Sequence, residues 1–210
     1  SSMLFDFTLL IFFIPVFFII SITPGLCMTL ALTMGMTIGL KQTMKMMVGE
    51  LTGVLIIAST AVIGGGTLIS KYPFAFDLFK YAGGLYLFYV GIQMFRSLGK
   101  MSLNIDGTHS YSQNAYGLAL QGFVTAIANP KGWAFFMAMV PQFMNYQIPL
   151  IPQMTAMIII IVVIEFISLM IYATSGNALS KLLSKSGNVK TINRVAGILM
   201  MFVGIWLAIS

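Results

Sequence analysis

Thr23-Pro24-Gly25 interrupts an uncharged run from Phe7 to Leu40, and Asn129-Pro130-Lys131-Gly132 closes a second apolar run that begins at Ala115. A proline inside a helix removes a backbone hydrogen bond and clashes with the preceding turn. Within a bilayer that defect is tolerated only where the freed groups face protein or a watery cavity. Broken apolar segments at matching places in the two halves of a chain are the best sequence pointer to a transporter's binding site. Thr23, Pro24, Gly25, Asn129, Pro130 and Lys131 are therefore the candidate substrate-binding residues.

Composition places these breaks in a membrane protein. Hydrophobic residues make up 59% of the 210 positions, charged residues 8%, and the mean hydropathy is +0.97. A soluble domain carries about 25% charge, so this chain lacks the polar groups to cover a globular surface. Crossing the hydrocarbon takes roughly 20 helical residues, and the uncharged runs predict about six spans, near 7–38, 46–69, 74–95, 115–142, 150–174 and 191–209. The first run is too long for a signal-peptide core and lacks a basic leader, so it is expected to be a span. The lone Cys27 excludes an internal disulfide and a CxxC redox pair.

The net charge of +6 sits in the predicted loops, where it reports orientation and gives no reason to expect a nucleic-acid partner. Lys41, Lys45, Arg96, Lys100, Lys181, Lys185, Lys190 and Arg194 fall on one side, against Lys71 and Lys80 on the other. The positive-inside rule then places both termini in the periplasm of a bacterial inner membrane.

The halves look duplicated. Gly84-Leu-Tyr-Leu-Phe-Tyr-Val-Gly91-Ile92 matches Gly197-Ile-Leu-Met-Met-Phe-Val-Gly204-Ile205 in the spacing of its glycines and in Val90 and Val203. With an odd number of spans per half, the second repeat must insert upside down, as transporters with alternating access do. Glycines at this spacing also serve ordinary helix packing, but the two prolines corroborate a repeat. The expected fold is an all-α membrane protein of about six helices, an inverted 3+3 repeat with a broken first helix in each half. Residues 1–103 and 104–210 form the repeats within a single membrane domain.

Several of these motifs together carry a resemblance. Ser21-Ile-Thr-Pro-Gly25, Gly35-x-x-x-Gly39, Gly83-Gly84-x-Tyr86-Leu87-x-Tyr89-x-Gly91 and Asn129-Pro-Lys131 followed by Pro141-Gln-Phe143 are similar to the LysE/RhtB family of amino-acid exporters. The likeness runs over essentially the whole chain, in order. One departure is Leu26, which stands where the family usually has a second proline after the glycine. The resemblance implies export of amino acids or related zwitterions, driven by the proton motive force without ATP. A passive channel or uniporter for small neutral solutes is the alternative.

Ionisable residues inside the spans supply the chemistry. A charge near the bilayer centre costs at least about 2.5–3.5 kcal/mol, so each is a functional candidate. They are Glu50, Lys131 and Glu165. Lys131 and the amides at the breaks can receive a substrate carboxylate, because a half-helix N-terminus carries positive potential. Glu165, and second Glu50, are the candidate proton-coupling groups, and either can receive the ammonium. Two plainer alternatives stand beside these roles: a fixed Lys131–Glu165 ion pair, and a Glu50 that snorkels to Lys45 or Lys41.

The remaining features are less specific. Trp133 either lines a cavity or packs, and Gly64-Gly65-Gly66 permits either a close crossing or a local unwinding. Seventeen methionines suit adaptable apolar packing better than copper, because pairs two apart on a helix face different ways. His109 lies in a polar loop, and no catalytic triad, metal-ligand cluster or phosphate loop points to an enzyme, a metal or another cofactor. The expected partners are an amino acid, protons and lipid; association into homo-oligomers is left open.

Overall fold

Both residues that precede the breaking prolines leave the helical region, as the clash with the proline ring requires. Thr23 adopts φ −61°, ψ 134° and Asn129 φ −79°, ψ 102°. In the computed structural model, which describes residues 6–96 and 114–209, each interrupted run is accordingly two half-helices. α1 (Phe7–Ile22) and α2 (Leu26–Thr37) form the first, bent by 58° at the break. α5 (Ala115–Ala128) and α6 (Pro130–Met139) form the second, with a 3-10 turn over Val140–Phe143. Pro130 opens α6 directly, a position where its missing N–H has no partner to lose. Pro24 stands outside both helices, and Gly25 begins α2.

The other elements are α3 (Leu40–Lys71), α4 (Pro73–Phe95), α7 (Leu150–Thr174), α8 (Gly176–Ser184) and α9 (Ser186–Ile209). Every element among the described residues is helical. Among them, α3 and α7 are each long and apolar enough to cross a membrane, and α1 with α2 make a third candidate as a broken span. Large apolar side chains such as Phe12, Ile63, Phe74, Leu85, Ile159 and Phe202 stand exposed, as a lipid-facing surface demands.

Two expected loops are helical instead. Lys41 and Lys45 lie in the first turns of α3, which starts at Leu40 and not near 46. Gly39 makes this possible: its φ of +86° is a conformation that favours glycine, and with Ile38 it turns the chain within two residues from α2 into α3. The segment between the last two expected spans folds as α8, and α9 begins at Ser186, ahead of the expected 191. The boundary between residues 103 and 104, Lys100 and His109 lie outside the described residues.

Small residues set the helix crossings. A Cβ on Gly49 would overlap the carbonyl of Ala119, and one on Gly53 would meet the Ala126 methyl at 2.8 Å, so α3 and α5 run closely in parallel. A Cβ on Gly35 would overlap the carbonyl of Ala173, which brings α2 onto the end of α7. Gly84 and Gly91 of α4 face Gly204 and Gly197 of α9, with Cβ positions 2.6–2.7 Å from the partner carbonyls. The two glycine pairs thus pack against each other, antiparallel. Gly65 packs on Pro141 and Tyr146, and α3 stays helical through the triple glycine; it is a close crossing without unwinding.

Candidate functional site

Breaking a helix leaves carbonyls without their amides, and at each break an aromatic side chain supplies a donor. Thr23 caps the end of α1 with its own N–H and hydroxyl on the Ile19 carbonyl, at 3.2 and 2.7 Å. The hydroxyl of Tyr172, on α7, donates to the Ile22 carbonyl at 2.7 Å. At the second break the indole N–H of Trp133 donates to the Ile127 carbonyl at 2.6 Å. Trp133 therefore satisfies the backbone across the break that precedes it by a few residues.

The half-helices α2 and α6 both open onto one cavity of about 90 Å³, several times what one water needs. Its wall combines Ser21, Thr23, Gly25, Leu26, Cys27 and Met28 around the first break with Asn129 and Gly132 at the second. α3 contributes Glu50 and α7 Glu165. The first-turn amides of α2 have no side-chain cap, so its positive end is available to an anion.

The two carboxyls have different surroundings. Ser21 donates to Glu165 at 2.6 Å, and lies 3.0 Å from the hydroxyl of Ser168. One hydroxyl proton serves one acceptor, so the chain reads Ser168 to Ser21 to Glu165. Glu50 is 1% exposed, and neither of its oxygens accepts a hydrogen bond from a nitrogen or hydroxyl donor. Its polar neighbours are the Glu165 carboxyl and the Cys27 thiol, an acceptor like itself and a weak donor. This burial removes Glu50 from the interface, so it does not snorkel toward Lys41 or Lys45.

On one side of the cavity the wall is aromatic. Phe17 stacks with Phe13 and Phe135 at centroid distances of 5.5 and 5.9 Å, and Phe136 tilts against it at 5.6 Å. Phe143 meets Phe13 edge-on at 5.1 Å. These rings fill the space between the breaks and the end of the bundle where α1 begins. At that end Asn145 donates to Asp6, the N-cap of α1, and Gln153 of α7 holds the Asn145 backbone with both ends of its amide.

Thr23, Gly25, Asn129, Glu50 and Glu165 thus come together in one cavity. Pro24 is buried beside it without lining it. The side chains of Pro130 and Lys131 lie outside the described ones, and with them the expected Lys131–Glu165 pair. Sequence reasoning missed Cys27, Ser168 and Tyr172, and took Ser21 only as part of a motif. Ser21 had a signal, because it stands one helical turn ahead of Pro24 on a face leading to the break. Tyr172 had none, since nothing in an apolar helix marks which hydroxyl reaches a distant carbonyl.

Comparison with known proteins follows the same lines. The family model described as LysE type translocator matches residues 18–210. The chain is 31% identical over 160 residues to a homoserine/homoserine lactone efflux protein of Salmonella typhi, covering 76% of each chain. A threonine efflux protein of Escherichia coli strain K12 is 31% identical over 97 residues, 46% of this chain and 47% of that one. An uncharacterised membrane protein of Bacillus subtilis is 23% identical over 209 residues, 96% and 99% of the two chains. No solved structure matches the chain.

Proposed function

Because this chain belongs to the LysE type translocator family, we propose that it is a secondary transporter exporting small amino acids or related zwitterions in exchange for protons. One observation carries the proposal: a single cavity unites the ends of two broken helices with a buried carboxyl from each half of the chain. A zwitterion needs opposite charges a few ångströms apart, and helix N-termini facing carboxylates supply them. The relatives named for homoserine and threonine support short, polar amino acids as the substrate class.

The proposed architecture is six spans related as an inverted 3+3 repeat, in a bacterial inner membrane with both termini periplasmic. The packing directions support this. Exchanging the halves turns the parallel α3–α5 contact into the parallel contact of α1 and α2 with α7, and maps the α4–α9 glycine crossing onto itself. Glu50 and Glu165 occupy the second span of their respective halves. Rocking one bundle against the other about the cavity then alternates access, and the phenylalanine cluster is the proposed closure on the side of α1's start.

Proton coupling follows from charge. Two carboxylates in an apolar cavity repel, and either a proton or a substrate ammonium relieves the repulsion. Each excludes the need for the other, which is the requirement for exchange. No nucleotide is consumed. Proteoliposomes loaded with L-threonine or L-homoserine provide the test: efflux should accelerate with external acidification, and should show counterflow. Flux that ignores the pH gradient and shows no counterflow would establish a passive channel instead.

A further inference from the structure

The two carboxyls of the cavity occupy matching places in the halves, yet the groups around them do not match. Three residues after Glu165 comes Ser168, and three after Glu50 comes Gly53. Three residues before Pro24 comes Ser21, and three before Pro130 comes Ile127. The positions that supply the serine chain behind Glu165 thus give Glu50 a glycine and an isoleucine. Gly53 has no room to become a serine without displacement, since α5's Ala126 methyl stands 2.8 Å from where its Cβ would be. Ile127 has its carbonyl engaged by Trp133.

A buried carboxylate without a donor is costly, because a lost hydrogen bond to a charged group forfeits its full desolvation. Glu50 is buried, lines the cavity and lacks a strong donor, while Leu26, Cys27 and Met28 of the uncapped first turn of α2 line the same space. Resting on the exporter reading above, we propose that Glu50 is the receptor for the substrate's α-ammonium group, with the substrate carboxylate on the α2 amides. Glu165, held by Ser21 and Ser168, does not take part in this contact and serves the proton. The pair therefore divides the labour that its symmetry would otherwise share. The aromatic face of Phe17, Phe135 and Phe136 receives the substrate's side chain.

Binding of three probes to the purified full-length protein separates the parts: L-threonine, 2,3-dihydroxybutanoate, which replaces the ammonium by a hydroxyl, and threoninol, which lacks the carboxylate. Hydrogen bonds to charged groups are worth about 1.5–3 kcal/mol, about 10- to 150-fold in affinity. The wild type should prefer L-threonine over dihydroxybutanoate by that factor. Glu50→Gln should collapse the preference to within a few-fold (about one neutral hydrogen bond) by weakening L-threonine alone. Retained binding of dihydroxybutanoate reports that the variant is folded. Glu165→Gln should keep the preference, and threoninol should bind more weakly than L-threonine in all three proteins. Should Glu50→Gln not fold, Glu50→Asp, one methylene shorter, should weaken L-threonine and leave dihydroxybutanoate unchanged. A preference that survives Glu50→Gln, or that Glu165→Gln removes instead, overturns the assignment. Wild-type protein that binds neither L-threonine nor L-homoserine overturns the exporter reading and this assignment with it.

Discussion

Replacing Tyr172 by phenylalanine removes one oxygen and tests whether side chains hold the helix breaks open. The ring stays in place, 3% exposed, and only its donation to the Ile22 carbonyl at 2.7 Å disappears. In a continuous helix Leu26 would serve that carbonyl, but Leu26 begins α2 beyond the break. A buried carbonyl left without a donor costs about 1–3 kcal/mol. At about 2 kcal/mol, and about 2–4 °C per kcal/mol for a chain of this length, the unfolding temperature should fall by about 4–8 °C. Trp133→Phe removes the corresponding donor at Ile127 and should cost a similar amount. The two donors share no partner, so the double variant should lose the sum to within about 0.5 kcal/mol. Tyr116→Phe removes a hydroxyl from a side chain 76% exposed and should stay within about 0.5 kcal/mol of the wild type. Thermal unfolding in detergent, followed by intrinsic fluorescence or a scattering probe, measures all four. Tyr172→Phe indistinguishable from Tyr116→Phe would mean that water serves the Ile22 carbonyl, and that the aromatic donors are incidental.

Gly84→Val should destabilise the α4–α9 crossing by about 1–3 kcal/mol, because its Cβ would sit 2.7 Å from the Gly204 carbonyl. Gly64→Ala, with nothing within 4 Å, should instead stabilise α3 by about 0.5–1 kcal/mol; chemical or thermal unfolding gives both signs. Glu165→Gln should abolish gradient-driven efflux from proteoliposomes while the protein elutes as folded material on size exclusion. Phe17→Ala, which opens the centre of the phenylalanine cluster, should admit a leak of L-threonine that persists without a pH gradient, and an unchanged leak rate would remove the cluster from the closure.

The breaks were legible because proline acts locally. Thr23 and Asn129 take extended backbone angles for a reason contained in the dipeptide, whatever the tertiary structure does. The early start of α3 was not legible in the same way. Lys41 and Lys45 read as loop by charge, whereas the turn that frees them for a helix depends on the positive φ of Gly39. The short helix α8 escaped for a related reason: its alternation of Leu with polar residues resembles a linker until it lies against α2 and α9. Within the site, burial and pairing decided matters that residue type could not. Glu50 and Glu165 are the same residue type lining one cavity, and the packing of Ser21, Ser168, Gly53 and Ala126 distinguishes them.

That distinction bears on how an inverted repeat can couple two ligands. A perfectly symmetric site would present two equivalent carboxyls, and a proton arriving at either would compete with the substrate at both. The cavity would then bind one cation indiscriminately, and exchange would depend on concentration alone. The serine chain holds Glu165 at a geometry set by α1 and α7, away from the seat proposed for the ammonium. Its counterpart on α3, with neither oxygen accepting a hydrogen bond from a nitrogen or hydroxyl donor, is open to the substrate's ammonium. In the proposed cycle the ammonium therefore has one preferred seat while the two carboxyls still sense each other's charge. In the proposed repeat the two halves share the cavity, and the departures from symmetry, Gly53 for Ser168 and Ile127 for Ser21, are what set the two carboxyls apart.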